Sequence, residues 1–189
     1  KMLRQLIEKD QISSMIFWGP PGVGKTTLAG IIAERTKADF INFSAVTSGI
    51  RVIRDVMNQA EAGRKMGIRT VLFVDEIHRF NNGQQDYLLP FVEDGTLLLI
   101  GATTENPYFE VNGALISRSR IFELKPLEKE DIKELLRRAV CDREKGMGSY
   151  RAEASDEALD FLAEMAGGDA RAALNAIELG ILTTDRSED

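Results

Sequence analysis

Cysteine is almost missing from this sequence. Cys141 is the only one, which excludes an internal disulfide and a cysteine-rich metal site. A lone thiol fits a reducing compartment. Long apolar runs are missing too. Stretches such as Leu97 to Ala102 fall far short of the ~20 residues that cross a bilayer, so no membrane partner is expected. An excess of positive charge is also lacking. Acids outnumber bases 30 to 24, a net charge of −6, so overall charge lends no support to nucleic-acid binding; only a local basic patch could. There is no Asn-Lys-x-Asp element of the kind that reads guanine, no internal repeat and no low-complexity tract. What remains is 189 residues with 43% hydrophobic content, enough for a real core in one or two domains. The sequence opens inside a helical pattern, Met2 to Glu8, without a leading Met, so a segment upstream is expected.

The stretch around which the rest is organised is Gly19-Pro20-Pro21-Gly22-Val23-Gly24-Lys25-Thr26-Thr27. It fits G-x-x-x-x-G-K-S/T, a phosphate-binding loop. The apolar run Met15-Ile16-Phe17-Trp18 precedes it, and Leu28 to Ala33 follows in a helical pattern, the strand–loop–helix context the motif needs. Successive backbone N–H groups there form a concave anion site, and the next helix adds the positive end of its dipole. Gly22 and Gly24 supply backbone angles closed to other residues. Lys25 is expected to reach the β- and γ-phosphates and the Thr26 hydroxyl to bind Mg²⁺. The competing reading is a plain Gly/Pro turn before a helix.

Along the chain, helical patterns cover Lys25 to Thr36, Gly49 to Met66 and Gln84 to Glu93. In the second, Ile50, Ile53, Met57 and Ala60 recur at helical spacing and are expected to face the core. Arg51, Arg54, Arg64 and Lys65 lie off that stripe, either as a solvated face or as contacts for nucleic-acid phosphates. Strands are expected at Asp39 to Phe43, Thr70 to Val74, Thr96 to Ala102 and Ile121 to Leu124. Thr70 to Val74 is continuously apolar, the sign of a strand buried on both faces. Strands alternating with helices imply an α/β fold with a parallel sheet flanked by helices, and ligands in such sheets sit beyond the carboxyl ends of strands. Beyond Pro126 only helices follow: Glu128 to Arg143, Asp156 to Met165 and Ala170 to Thr183, with Ser155 and Asp169 as N-caps and Glu144 to Ala154 as an exposed loop. The expected division is an α/β core over 1–125 and a small all-helical lid over 126–189.

Several residues at strand ends carry chemistry. Asp75 would sit on or behind the Mg²⁺, and Glu76 would orient or deprotonate the attacking water; the alternative is two acids capping the next helix. His78, the single histidine, fits packing at a helix start better than proton transfer. Thr103-Thr104-Glu105-Asn106 could hydrogen-bond the γ-phosphate or simply form a loop ahead of Pro107. Ser117-Arg118-Ser119-Arg120 offers guanidinium groups that could neutralise charge on a transferred phosphoryl group, an effect worth 10³–10⁵ in rate where it operates. Arg171 lies in the first turn of a helix, where a cation opposes the dipole, which hints at a role on the nucleotide.

Taken together, the phosphate loop, Val74-Asp75-Glu76-Ile77-His78, Gly101-Ala102-Thr103-Thr104, Ser117-Arg118-Ser119 and Gly168-Asp169-Ala170-Arg171 stand in the order of an AAA+ ATPase of the clamp-loader clade, and the sequence resembles that family across essentially its whole length. Phe73 through Asn106 resembles most closely the branch of replication-associated recombination protein A and the Werner helicase-interacting protein. The resemblance implies a P-loop NTPase fold and ATP with Mg²⁺. Lys25 and Thr26 match Walker A, and Asp75 and Glu76 match Walker B. Thr104 matches sensor 1, with Asn106 the second candidate, and Arg171 matches sensor 2. Arg118 matches the arginine finger of a Ser-Arg-Cys motif in which Ser119 replaces the Cys, leaving Arg118 and Arg120 as alternatives. Such a finger acts in trans, so a homo-oligomer is implied: a tetramer in the family, formed through a C-terminal region outside this sequence. The family acts on DNA at stalled forks or single-strand/duplex junctions and partners single-strand-binding protein, which implies the bacterial cytoplasm, at the nucleoid. By analogy, Thr47, Ser48 and Arg51 would face DNA. Two alternatives remain: a clamp-loader-like nucleotide-switch subunit that does not hydrolyse, and a branch-migration motor resembling RuvB, which shares the Gly-Ala-Thr-Thr strand end but is disfavoured by the lack of a pore-loop or hairpin insertion.

Overall fold

The computed structural model describes residues 2–46 and 49–185. The chain forms two compact units: Lys1–Gly19 with Lys25–Leu124, and Pro20–Gly24 with Lys125–Asp189.

The first unit is built on a five-stranded sheet of β1 (Met15–Trp18), β2 (Asp39–Ser44), β3 (Thr70–Asp75), β4 (Leu97–Thr103) and β5 (Arg120–Glu123), in the order β2-β3-β4-β1-β5. Every neighbouring pair is parallel. Along β3 successive side chains point to opposite faces. Leu72 and Val74 enter one core with Ile53, Met57 and Ala60 of α3 (Ile50–Lys65) and Leu88 of α4 (Asn82–Glu93). Val71 and Phe73 enter the other with Ala29, Ile32 and Ala33 of α2 (Lys25–Arg35), against which the half-buried Leu3 and Ile7 of α1 (Met2–Glu8) also pack. Helices on both faces are why the strand reads as unbroken apolar sequence. Each fully buried valine, leucine, isoleucine, phenylalanine or methionine among them contributes on the order of 1.5–3 kcal/mol. Among the described residues no helix is long and apolar enough to cross a membrane.

The helical stripe of α3 differs from expectation at one end. Ile53, Val56, Met57 and Ala60 are buried, but Ile50 is 55% exposed. Helical side chains lean toward the N-terminus, so the first residue leans off the end of its own helix. The start of α4 lies two residues before the expected Gln84. Asn81 accepts from Gln84 N at 2.8 Å while Gln84 Oε1 accepts from Asn81 N at 2.9 Å, a reciprocal cap. Two short helices, α5 (Pro107–Glu110) and α6 (Gly113–Ser117), occupy a stretch for which the sequence offered no element, capped by Asn106 and Asn112.

The second unit packs α7 (Lys129–Cys141), α8 (Asp156–Met165) and α9 (Ala170–Thr183) around Ile132, Leu136, Leu159, Ala163, Ala173 and Ile177. Ser155 and Asp169 cap α8 and α9 as expected, and a single 3₁₀ turn, Gly148–Tyr150, interrupts the loop before α8. Lys129, Lys133 and Arg137, one turn apart on α7, face Asp156, Asp160 and Glu164 on α8. Lys133 Nζ lies 2.8 Å from Asp156 and 3.4 Å from Asp160, Lys129 Nζ 2.8 Å from Asp160, and Arg137 Nη2 2.7 Å from Asp156. The Lys133 side chain is 9% exposed. Hydrogen bonds from Lys133 and then Arg137 hold the Asp156 carboxyl below its ordinary range, and Lys129 does the same to Asp160. Asp156 in turn raises Lys133.

Candidate nucleotide site

Adjacent strands β1 and β4 have onward connections that run to opposite edges of the sheet, to β2 and to β5. A parallel sheet opens a crevice beyond the carboxyl ends of such a pair. The phosphate loop begins there: Gly19 N donates to Thr103 O at 3.1 Å, joining the end of β1 to the end of β4. Gly19 has no alternative, since a Cβ would lie 2.3 Å from Leu124 O. After the loop α2 opens with Lys25-Thr26-Thr27 and has no acid in its first turn, so no carboxylate of its own offsets its positive end. Lys25 Nζ donates to Gly19 O at 2.6 Å. Thr26 is half-buried and Thr27 exposed.

Asp75 closes β3 at the same end of the sheet and Glu76 follows it; both are half-buried. Asp75 Oδ1 accepts from Glu76 N at 3.0 Å. Glu76 has a left-handed backbone, φ 51 and ψ 47, which a non-glycine residue adopts at a cost of about 1–2 kcal/mol. Its Oε2 pairs with Arg79 Nε at 2.9 Å. A strained acid at the end of a buried strand is an arrangement found at functional sites. His78 sits on the 3₁₀ turn Ile77–Arg79, with Nδ1 2.9 Å from Thr103 Oγ1, while Thr103 Oγ1 also accepts from Glu105 N at 3.0 Å. The histidine therefore ties the turn after the acids to the end of β4. Thr104 lies one residue past β4 and is exposed; Asn106 Oδ1 caps α5.

The arginine pair is placed elsewhere in this unit. Arg120 opens β5 opposite Met15, the first residue of β1, so Arg118 and Arg120 stand at the amino end of the sheet. By this register Arg120 is level with Ile100, and the four residues of β1 put about 13 Å of strand between Arg120 and Gly19, where the phosphate loop begins. Arg118 lines a cleft of about 450 Å³ with Ser13, Arg69, Thr70, Glu93 and Leu97. Its Nη2 pairs with Glu93 Oε1 at 2.5 Å. Arg51 and Arg54 are exposed on α3, whereas Arg64 is bonded to Thr96 Oγ1 at 3.0 Å. Thr47 and Ser48 lie outside the described residues.

The remaining loop residues belong to the second unit. Gly22 and Gly24 have φ of +75 and +91, the conformation reserved for glycine. Ala170 N donates to Gly22 O at 2.9 Å, and a Cβ on Gly22 would meet Asp169 Oδ1 at 1.7 Å. Pro20, Pro21 and Val23 complete the bend around these glycines. Asp169 Oδ1 also accepts from Arg171 N and Ala172 N, at 2.9 and 3.1 Å, which offsets the cation at the start of α9; Arg171 itself is exposed.

The donor set fits a magnesium triphosphate. Among the described residues no three metal-ligating side chains cluster, so none forms an all-protein cage. Mg²⁺ does without one, since it keeps several waters and binds substrate phosphates with few protein oxygens; Thr26 and Asp75 are the residues that could supply them. Sequence reasoning did not find Arg79, the His78–Thr103 contact, Glu93 or the Asp169–Gly22 approach. Each is a tertiary or turn-level pairing with no motif of its own; only the Asn81…Gln84 cap carried a readable signature.

Residues 15–127 match the family described as ATPase family associated with various cellular activities (AAA). Replication-associated recombination protein A of Haemophilus influenzae is 51% identical over 189 residues, covering 100% of this chain and 42% of that protein. The protein of the same name in Bacillus subtilis is 43% identical over 189 residues, 44% of its length. ATPase WRNIP1 of Dictyostelium discoideum is 43% identical over 180 residues, 95% of this chain and 20% of that protein. The chain thus spans less than half the length of these curated relatives. Among solved structures, the Thermotoga maritima RuvB Holliday junction branch migration motor superposes with a TM-score of 0.72 at 27% identity, over 97% of this chain and 61% of that one.

Proposed function

Because the chain belongs to the ATPase family associated with various cellular activities (AAA), we propose that it binds and hydrolyses ATP at the phosphate loop, and that the protein couples this to remodelling DNA at stalled replication forks. The observation that carries the ATPase reading is the convergence of the loop, the strained Glu76 and the end of β4 at one end of a parallel sheet. Backbone amides of 19–24 and the start of α2 cradle the phosphates, and Lys25 neutralises the β- and γ-oxygens. Thr26 and Asp75 would hold Mg²⁺, which would further neutralise the phosphate charge. Glu76 accepts a proton from the attacking water as its oxygen bonds to the γ-phosphorus and the bond to the ADP oxygen breaks. Thr104 senses the γ-phosphate, with Asn106 as second candidate, and Arg171 reaches the same nucleotide.

Arg118 is the finger, and it serves a neighbouring copy. In support, Arg118 and Arg120 stand toward the amino end of the sheet, away from Gly19 at its carboxyl end, and the backbone N–H of Arg120 donates to Ser14 O at 2.9 Å. Hydrolysis then requires a homo-oligomer, a tetramer by resemblance. Single-strand-binding protein as a partner, and the bacterial cytoplasm at the nucleoid as location, follow from the same resemblance. The division into an α/β core over 1–125 and a helical lid over 126–189 is part of the same reading. The names of the relatives favour recombination at replication sites. The likeness to RuvB favours a branch-migration motor as the second reading.

The test compares steady-state ATP turnover of the assembled protein with single-stranded, duplex, forked and four-way-junction DNA. Forked or gapped DNA is expected to stimulate most. Stimulation by four-way junctions alone would move the reading to the motor, and no turnover with any of them would overturn it.

A further inference from the structure

We propose that Glu93 is the positioning residue for Arg118, holding the guanidinium in the place from which it reaches a neighbouring copy's nucleotide; this rests on the reading of Arg118 as a finger acting in trans. The short helix α6 is fastened to the long helix α4 at both ends. At its start, Asn112 N donates to Gln85 Oε1 and Asn112 Nδ2 donates to Asp86 Oδ1, both at 2.6 Å. Gln85 is 1% exposed and its amide also donates to Phe80 O at 3.0 Å, so that end is anchored to the turn that follows the acid pair. At its close, Arg118 caps α6 and pairs with Glu93, the last residue of α4. The two guanidinium nitrogens have different holders. Nη1 donates to Ala114 O and Ser117 Oγ, both at 3.1 Å, and Nη2 faces Glu93.

Glu93 is a poor local choice. A carboxylate at a helix C-terminus faces the negative end of the dipole, and the last turn of α4 contains no base. The adjacent acid, Asp94, has partners of its own: it accepts from Thr96 N at 2.8 Å and lies 3.5 Å from Arg64. Glu93 pairs with Arg118. Both side chains are about 40% exposed, and half-exposed pairs add little to stability. What the pair does supply is orientation, since a long side chain otherwise sweeps many rotamers.

The experiment uses the assembled protein and Glu93→Gln, with Arg118→Ala and Lys25→Ala as controls. Glu93→Gln is expected to lower kcat by about 10- to 100-fold, the cost of a slightly misplaced group, and to leave KM for ATP, the melting temperature and the oligomer size unchanged. Mixing Glu93→Gln with Lys25→Ala restores turnover, because the Lys25→Ala copies present an intact pair. Mixing it with Arg118→Ala does not. Glu93→Ala repeats the measurement should the glutamine variant assemble poorly. If Arg118→Ala itself turns over normally, the finger reading fails. If Arg118→Ala is inactive and both Glu93 variants keep full kcat, or lose it without rescue by Lys25→Ala, the positioning role is overturned and the finger reading stands.

Discussion

Gly22→Ala is the perturbation whose cost can be worked most directly. An alanine at φ +75 is strained by about 1–2 kcal/mol. The new Cβ would also overlap Asp169, 1.7 Å from Oδ1 and 2.2 Å from Cγ, so the carboxylate must turn away. Turning it away breaks the bonds from Arg171 N and Ala172 N that cap α9, worth about 1 kcal/mol. The stiffer unfolded chain returns about 0.4–1 kcal/mol. The net expectation is a loss of about 1–3 kcal/mol, read as a lower urea midpoint at unchanged slope. Asp169→Ala alone should cost about 1 kcal/mol, the cap. The decisive measurement is the double variant. With the carboxylate gone the overlap disappears and the cap can be lost only once, so the pair should cost no more than Gly22→Ala alone, about 1 kcal/mol less than the sum. Simple additivity would refute the contact between loop and cap.

Glu76→Gln should retain ATP binding and lose turnover by orders of magnitude, measured by nucleotide titration and single-turnover hydrolysis; normal turnover would remove Glu76 from its role. The α7–α8 ion pairs should make the second unit acid-sensitive. Asp156 and Asp160 titrate below their ordinary 3.8 when folded, so their contribution is complete above about pH 4 and is lost as pH falls through the folded values. Lys133 is raised above 10.5, so its contribution is complete below that pH and is lost as pH rises through the folded value. An Asp156→Asn/Asp160→Asn variant should therefore show a flatter melting temperature between pH 5 and pH 3 than the parent, and parallel curves would count against the ladder. Ser119→Ala removes a hydroxyl whose Oγ is buried with no partner, so it should raise stability by about 1 kcal/mol, and a lower urea midpoint would contradict that.

Elements with strong periodicity were legible from sequence because one physical demand set them. The apolar run of β3 is continuous because helices cover both its faces, and α9 begins where Asp169 can cap it. The strand order was not legible, because nothing in the local pattern of β1 says that its neighbours are β4 and β5. The short helices α5 and α6 carry no readable helical pattern, because Asn106-Pro107 and Asn112-Gly113 signal turns and caps equally well. Of the candidate site, the loop glycines and Asp75-Glu76 could be placed by motif. The left-handed backbone of Glu76, the His78–Thr103 contact and the Glu93–Arg118 pair exist only once distant segments meet.

The outermost strands have a consequence for how copies of this chain can associate. β5 is four residues long and places Arg120 and Glu123 at its ends, while β2 opens on the exposed Asp39. Brief borders bearing ionised groups discourage a foreign backbone from zipping on. Growth by extending the sheet from one molecule into the next is thereby suppressed. Self-association is left to side-chain surfaces, whose geometry can close on a fixed number of members where an open ladder would keep adding them.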